Sequence, residues 1–310
     1  CPPPINVGDG NTVYVMAGGY VGRTRNFLAS SPNWENVTNT TAGSGNGVAF
    51  NLDPWNPVDI GYRLYSNVLE KTINLNSTLP TWSSVVTTSD VQTALGLSSV
   101  VFQRMGLTIT ENGVVYIAWY SSTKWGVSVT RNGGSTWSHY KIVADGSSGS
   151  STIRRIVADQ NTQGTVYAMG GNRAFSADYP ALFKSTDYGV SWTTILSDSF
   201  CSMQDFDVSY PDGGKTIVAR SCGATTTIYY STNYGASFSS ASITTSVGNN
   251  GGNIRFNIAT GNALDILWVE NITPYYSSDG GATWTQGTNL YGAGISFCAS
   301  QSLTATCRWP

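Results

Sequence analysis

The chain has 310 residues, 16 Lys and Arg against 18 Asp and Glu, and a formal net charge of −2, so it carries no basic footprint for nucleic acid. No run approaches the roughly 18 consecutive apolar residues of a membrane-spanning helix. Charged residues make up 11%, against roughly a quarter in ordinary soluble proteins, so solubility must rest on Ser, Thr, Asn and Gly or on attached sugar.

In chain order, residues 1–11 open with Cys1-Pro-Pro-Pro4 and read as an N-terminal arm. Thr12-Val-Tyr-Val-Met16 alternates as a strand and matches Thr165-Val-Tyr-Ala-Met169, the second strand of a later unit. The first unit therefore lacks an innermost strand, and Gly294-Ile-Ser-Phe-Cys298 is the segment expected to supply it, removing a free sheet edge. Worn turn motifs end at Trp34 (Ser30-Ser-Pro-Asn-Trp34) and Trp82 (Ser77-Thr-Leu-Pro-Thr-Trp82). Well-kept copies follow: Thr130-Arg-Asn132-Gly-Gly134-Ser-Thr-Trp137, Ser185-Thr-Asp187-Tyr-Gly189-Val-Ser-Trp192, Ser231-Thr-Asn233-Tyr-Gly235-Ala-Ser-Phe238 and Ser277-Ser-Asp279-Gly-Gly281-Ala-Thr-Trp284.

Each copy reads as a hairpin tip. Ser or Thr opens the turn, Asp or Asn closes it onto the backbone, Gly takes a positive φ, and the aromatic residue starts the next strand and packs back over the tip. The closing aromatics are 46 to 55 residues apart, a period that belongs to a repeat architecture. Between tips the same strands return: 105–110, 114–120, 126–130 and 137–143 in the third unit, then 153–159, 165–169, 182–185 and 192–196 in the fourth. No segment shows a helical period. The expectation is an all-β chain, a single six-bladed β-propeller of four-stranded antiparallel blades over residues 12–310, closed by the C-terminal strand completing the N-terminal blade.

The pattern S/T-x-D-x-G-x-T/S-W resembles the Asp-box (BNR) repeat of sialidases, sortilin-type receptors and the xyloglucanase group. That resemblance covers most of the chain. It implies a propeller whose boxes join third and fourth strands on the face away from the usual ligand site. Sialidases also carry an R-I-P motif, three arginines, an acid Asp and a Tyr–Glu pair. This chain has no R-I-P, and Glu35, Glu70, Glu111 and Glu270 fall mostly on outer strands or turns.

Cys201 with Cys222, and Cys298 with Cys307, are the economical short-range disulfides, leaving Cys1 as a free thiol, a processed N-terminus or a link to another chain. N-x-S/T sequons stand at Asn36, Asn39, Asn76 and Asn271, and with the cysteines they point to a secreted glycoprotein without its signal peptide. A single histidine, His139, and the lack of a C-x-x-C give no metal site and no cofactor to expect. His139 falls on an outer strand, as a structural residue.

Aligning the first strands puts Ala49, Met105, Arg155, Asp205, Arg255 and Ser296 in one column, with Arg104 and Arg154 in the column before it. First strands line the axis of a propeller, so Arg155, Asp205 and Arg255 are expected together. One Asp cannot neutralise two Arg, and the cluster is then either a buried ion network or a forked cationic site for a carboxylate or sulfate. Loops on the face opposite the boxes supply Tyr20 and Arg23, Trp125, Arg173, Asp178 and Tyr179, and Glu270, a mix suited to stacking on and hydrogen bonding to a sugar. The leading expectation is an extracellular glycan-binding propeller that favours anionic sugar, its partner a carbohydrate or glycoconjugate. Alternatives are a glycoside hydrolase or polysaccharide lyase pairing Asp205 with Asp90, Asp145 or Asp178, and a glycosylated structural subunit that self-associates through its N-terminal arm.

Overall fold

The computed structural model describes residues 5–6, 11–17, 20–38, 47–65, 67–110, 113–122, 124–142, 151–172, 181–197, 203–210, 212–221, 226–243, 254–258, 262–270 and 273–287. These fall into two compact units, one within Cys1–Lys141 and one within Ile142–Ser296.

The first unit holds three four-stranded antiparallel sheets, each ordered as in sequence. They are β1 Ile5–Asn6, β2 Val13–Ala17, β3 Tyr20–Thr24 and β4 Glu35–Asn36; then β5 Gly47–Leu52, β6 Gly61–Tyr65, β7 Val68–Thr72 and β8 Ser83–Thr87; and, after a helix α1 at Thr88–Leu95, β9 Val101–Ile109, β10 Val115–Tyr120, β11 Trp125–Thr130 and β12 Ser138–Lys141. The second unit repeats the plan with β13 Ser151–Ala158, β14 Val166–Asn172, β15 Ala181–Ser185 and β16 Thr193–Leu196; β17 Met203–Val208, β18 Ile217–Ser221, β19 Thr226–Ser231 and β20 Ser239–Ile243; and β21 Ile254–Ile258, β22 Ile266–Glu270, β23 Thr273–Ser277 and β24 Thr285–Gln286. The strands read from alternation in the third and fourth units match β9–β12 and β13–β16 within a few residues.

Central strands are more deeply buried than fourth strands, which are mostly exposed to half-buried, and this follows from their side chains. β10 and β11 are almost wholly apolar and buried, whereas β12 (Ser-His-Tyr-Lys) is exposed to half-buried. Trp119 and Trp125 are fully buried, each aromatic burial being worth about 1.5–3 kcal/mol. Gly126 allows that packing, because a Cβ there would overlap the Tyr140 carbonyl oxygen and the Trp119 ring.

The tips have one shared geometry. In the four well-kept copies the Ser or Thr hydroxyl donates to the Asx Oδ1 at 2.8–2.9 Å, the Gly N–H donates back to that hydroxyl at 2.9–3.0 Å, and Asx Oδ1 accepts the N–H four residues on. Two successive residues have positive φ: Gly133 and Gly134, Tyr188 and Gly189, Tyr234 and Gly235, Gly280 and Gly281.

The first two sheets correct the reading of their worn motifs. Their turns open at Thr24 and Thr72, whose hydroxyls donate to Asn26 and Asn74 Oδ1 at 2.8 and 2.9 Å. Each Asn then accepts an N–H seven residues on, from Asn33 and Thr81. The anchor is the same and the arc is three residues longer, which hid the opening half from a fixed-spacing search.

Two further expectations change. The edge of β2 is held by β1 through Ile5↔Tyr14 and Asn6↔Val13, so part of the arm is a strand; 294–298 lies outside the described residues. A helix is also present. Thr87 caps α1, its Oγ1 accepting from the Asp90 N–H while Asp90 Oδ2 accepts from the Thr87 N–H at 2.7 Å, and Gly96 ends it at φ 65°. Two turns that bury only Thr88 and Val91 give too short a period to read.

Candidate functional site

In the second unit, β17 lies against both β13 and β21. Bulges between Ile153 and Arg155 and between Met203 and Asp205 set Arg155 opposite Met169 and Asp205 opposite Arg220, so the aligned column corresponds to a shared register. Arg255 is opposite Val269 on β21. Strand alternation sends Phe206 into the core, fully buried, and puts Asp205 and Asp207 on the other face together.

Arg155 reaches across to that face. Its Nη1 donates to Asp205 Oδ1 at 3.0 Å and to the Phe206 carbonyl oxygen, and its Nη2 donates to Asp207 Oδ1 at 3.0 Å. The second oxygen of Asp207 accepts the Ile258 N–H of β21 at 3.0 Å. Arg155, Asp205 and Asp207 are all buried. Burial works against the charge of Arg155, but Asp205 and Asp207 outweigh it and hold the guanidinium above its usual range. Burial pushes the Asp207 carboxyl up, and the charge of Arg155 only partly offsets it.

Asp207 adds a carboxylate that the charge arithmetic read from sequence left out. Arg155 does not stand as a surplus cation; among the described side chains of the cluster two carboxylates share one guanidinium, whose fork is taken. Asp207 was missed, although Asp205-Phe-Asp207 on a strand already places two carboxylates on one face. The arrangement ties β13, β17 and β21 together and engages both terminal nitrogens of Arg155.

The other expected site residues fall as follows. Trp125 opens β11 but is fully buried, so it offers no face for a sugar and belongs to the core. Tyr20 opens β3 and is half-buried. Arg23 is fully buried and donates to Glu35 Oε1 at 2.6 Å and to the carbonyl oxygens of Leu75 and Ser77 at 2.6 and 3.0 Å, joining the first two sheets. Arg104 and Arg255 stand on β9 and β21 with their side chains outside the described residues. Arg173, Asp178, Tyr179, Asp145, Cys1, Cys201, Cys222, Cys298, Cys307, Asn39 and Asn271 lie outside them altogether.

Most of the remaining carboxylates among the described residues have structural partners. Asp90 caps α1, Glu70 accepts from Arg63, Asp53 and Asp159 close turns onto following N–H groups, and Asp187, Asp212 and Asp279 do the same at exposed tips. His139 on β12 has Nδ1 2.7 Å from Ser128 Oγ, but Ser128 is fully buried, which leaves no nucleophile for a substrate to reach. Exposed apolar side chains gather at the turn-bearing strand ends: Phe27, Leu28 and Trp34 between β3 and β4, Trp55 and Val58 between β5 and β6, Ile73 and Leu79 between β7 and β8.

No protein-family model and no curated protein matches the chain. Solved structures do resemble it. The GH74 enzyme of Niastella koreensis aligns with a TM-score of 0.62 and 20% identity over 91% of this chain and 44% of its own. The GH74 xyloglucanase of Xanthomonas campestris aligns at 0.62 and 13% over 91% and 46%. YCF48, in a structure bound to D1 peptide, aligns at 0.56 and 14% over 90% and 79%. At these identities the likeness shows the fold alone, a β-propeller; the chain spans less than half the length of the two GH74 chains.

Proposed function

We propose that this chain is an extracellular binding propeller of the Asp-box type, with carbohydrate as its ligand and anionic sugar favoured. The observation that supports binding over hydrolysis is the commitment to structure of most of the described carboxylates. Asp205 and Asp207 are buried against Arg155, and Asp90, Asp159, Asp187, Asp212, Asp279, Glu35 and Glu70 hold caps, turns or arginines. A glycosidase needs two carboxyl groups facing its substrate. In this reading, which rests on the sequence, Arg255 and Arg173 meet an acid group and Tyr179 stacks on a sugar ring.

The test is a glycan array followed by calorimetry on the full chain. Binding to uronate or sialyl glycans, weakened about tenfold or more by Arg255→Ala or Tyr179→Ala, is the expected result, tenfold being what loss of one charge-assisted contact costs. Release of reducing ends from xyloglucan or a uronan would replace this reading with a glycoside hydrolase or lyase. Failure to retain any glycan at millimolar concentration would end it.

A further inference from the structure

The first two sheets show apolar side chains to solvent that no described part of the chain covers. Leu28 is 77% exposed, Ile73 70% and Leu79 52%, with Phe27 and Trp34 beside them in sequence. In the middle of this surface stands Asn76-Ser-Thr78, an N-x-T sequon on the tip between β7 and β8, three residues from Ile73 on one side and from Leu79 on the other.

Arg25 fixes that asparagine. Its Nη1 donates to Asn76 Oδ1 at 2.7 Å and its Nη2 to the Asn76 carbonyl oxygen at 2.7 Å. A guanidinium can only donate, so the amide oxygen must face Arg25 and Nδ2 must point away from it. Asn76 and Thr78 are both exposed. The sequon at Asn36 differs: Asn36 Oδ1 accepts both the N–H and the hydroxyl of Thr38, at 2.9 and 2.6 Å, and Val37 and Thr38 are buried.

We infer that Asn76 carries an N-linked glycan whose inner sugars lie over Ile73, Leu79 and Phe27, shielding the apolar tips of the first two sheets. The bond joins Nδ2 to the anomeric carbon of the first sugar. The donor is a lipid-linked sugar diphosphate: its C1–O bond breaks, the diphosphate leaves with the electron pair, and the Nδ2 proton passes to a carboxylate base of the transferase. Sugar rings present CH faces to aliphatic and aromatic side chains and hydroxyls to water. A chain with 11% charged residues gains its hydration in this way. This inference is independent of any ligand at the opposite strand ends.

Protein purified from its natural source is digested with trypsin, which frees residues 72–104, a peptide with Asn76 as its single sequon. The expected result is a peptide bearing hexose and N-acetylhexosamine mass, with heavy oxygen entering at residue 76 on enzymatic release in labelled water. An unmodified peptide overturns the assignment. Folded protein is next deglycosylated and compared with secreted Asn76→Gln and Thr78→Ala variants. Each is expected to bind an apolar dye about twofold or more above the glycosylated form, as for a newly exposed patch of a few hundred Å², and to self-associate with concentration while its melting transition persists. The extra dye signal should fall in deglycosylated Ile73→Ser and Leu79→Ser. A glycan whose removal leaves dye binding unchanged refutes the shielding.

Discussion

Arg155 on β13 and Asp207 on β17 face each other with Nη2 and Oδ1 3.0 Å apart, and the far oxygen of Asp207 is fastened to the Ile258 N–H of β21. One carboxylate thus receives a side chain from the strand before it and a backbone group from the strand after. Removing Arg155 takes from buried Asp205 and Asp207 the guanidinium that both of them accept from. Arg155→Met is expected to lower unfolding free energy by about 3–5 kcal/mol in urea titrations. The triple change Arg155→Met, Asp205→Asn, Asp207→Asn should recover part of that loss. A single-mutant loss below about 1 kcal/mol would show the cluster to be incidental.

Asp207 also gives a pH signature. Burial raises its folded pKa above the usual 3.8, so the native state holds this proton more tightly than the unfolded chain. Its contribution to stability is therefore full below 3.8 and is lost as pH rises through the folded value. The stability of Asp207→Asn relative to wild type should climb between acidic and neutral pH. A constant difference over that range would contradict the cause assigned to the shift.

His139 contributes with the opposite sign. Burial lowers its pKa below the usual 6.5, with the charge of Asp90 pulling the other way. The unfolded chain therefore takes up the proton first, and stability present above 6.5 is lost as pH falls through the folded value. Since His139 is the single histidine, His139→Gln should remove the sigmoidal step in stability near that pH. A step that survives the substitution would have to come from another group.

The recurring turn makes a backbone prediction. Tyr234 at φ 63° and Gly235 at φ 80° sit in the left-handed region, which costs a side chain about 1 kcal/mol. Gly235→Ala, whose Cβ would also come 2.8 Å from Ile195 Cδ1, is expected to destabilise by about 1–3 kcal/mol. Tyr234→Gly should be neutral or stabilising. Thermal melts that rank the pair the other way would refute the strain argument.

The sequence carried the well-kept turns because each needs a particular residue at each step: a hydroxyl, an Asx, a residue able to take positive φ, and an aromatic lid. The longer turns at Thr24 and Thr72 escaped because their three extra residues break the spacing while leaving the anchor intact. The column through Arg155 and Asp205 was legible from the period alone. Its chemistry was not, since pairing between sheets depends on whether residue i or i+2 of a strand comes within reach, and here both Asp205 and Asp207 do. Trp125 was misplaced for a related reason: a strand's first residue looks solvent-facing until the neighbouring strand's width is known. Arg23 was placed in a loop, although its fully buried guanidinium serves the carbonyls of the next sheet.

The longer tips of the first two sheets separate closure from content. Thr24 with Asn26, and Thr72 with Asn74, fasten the entry, while Asn33 and Thr81 fasten the exit, and the residues in between carry none of that anchoring. Such a clasp lets a cassette be spliced between the Asn and its distant N–H without disturbing strand register, making residues 29–32 a port at which a foreign peptide could be displayed, whereas 75–77 is held by Arg23 and Arg25.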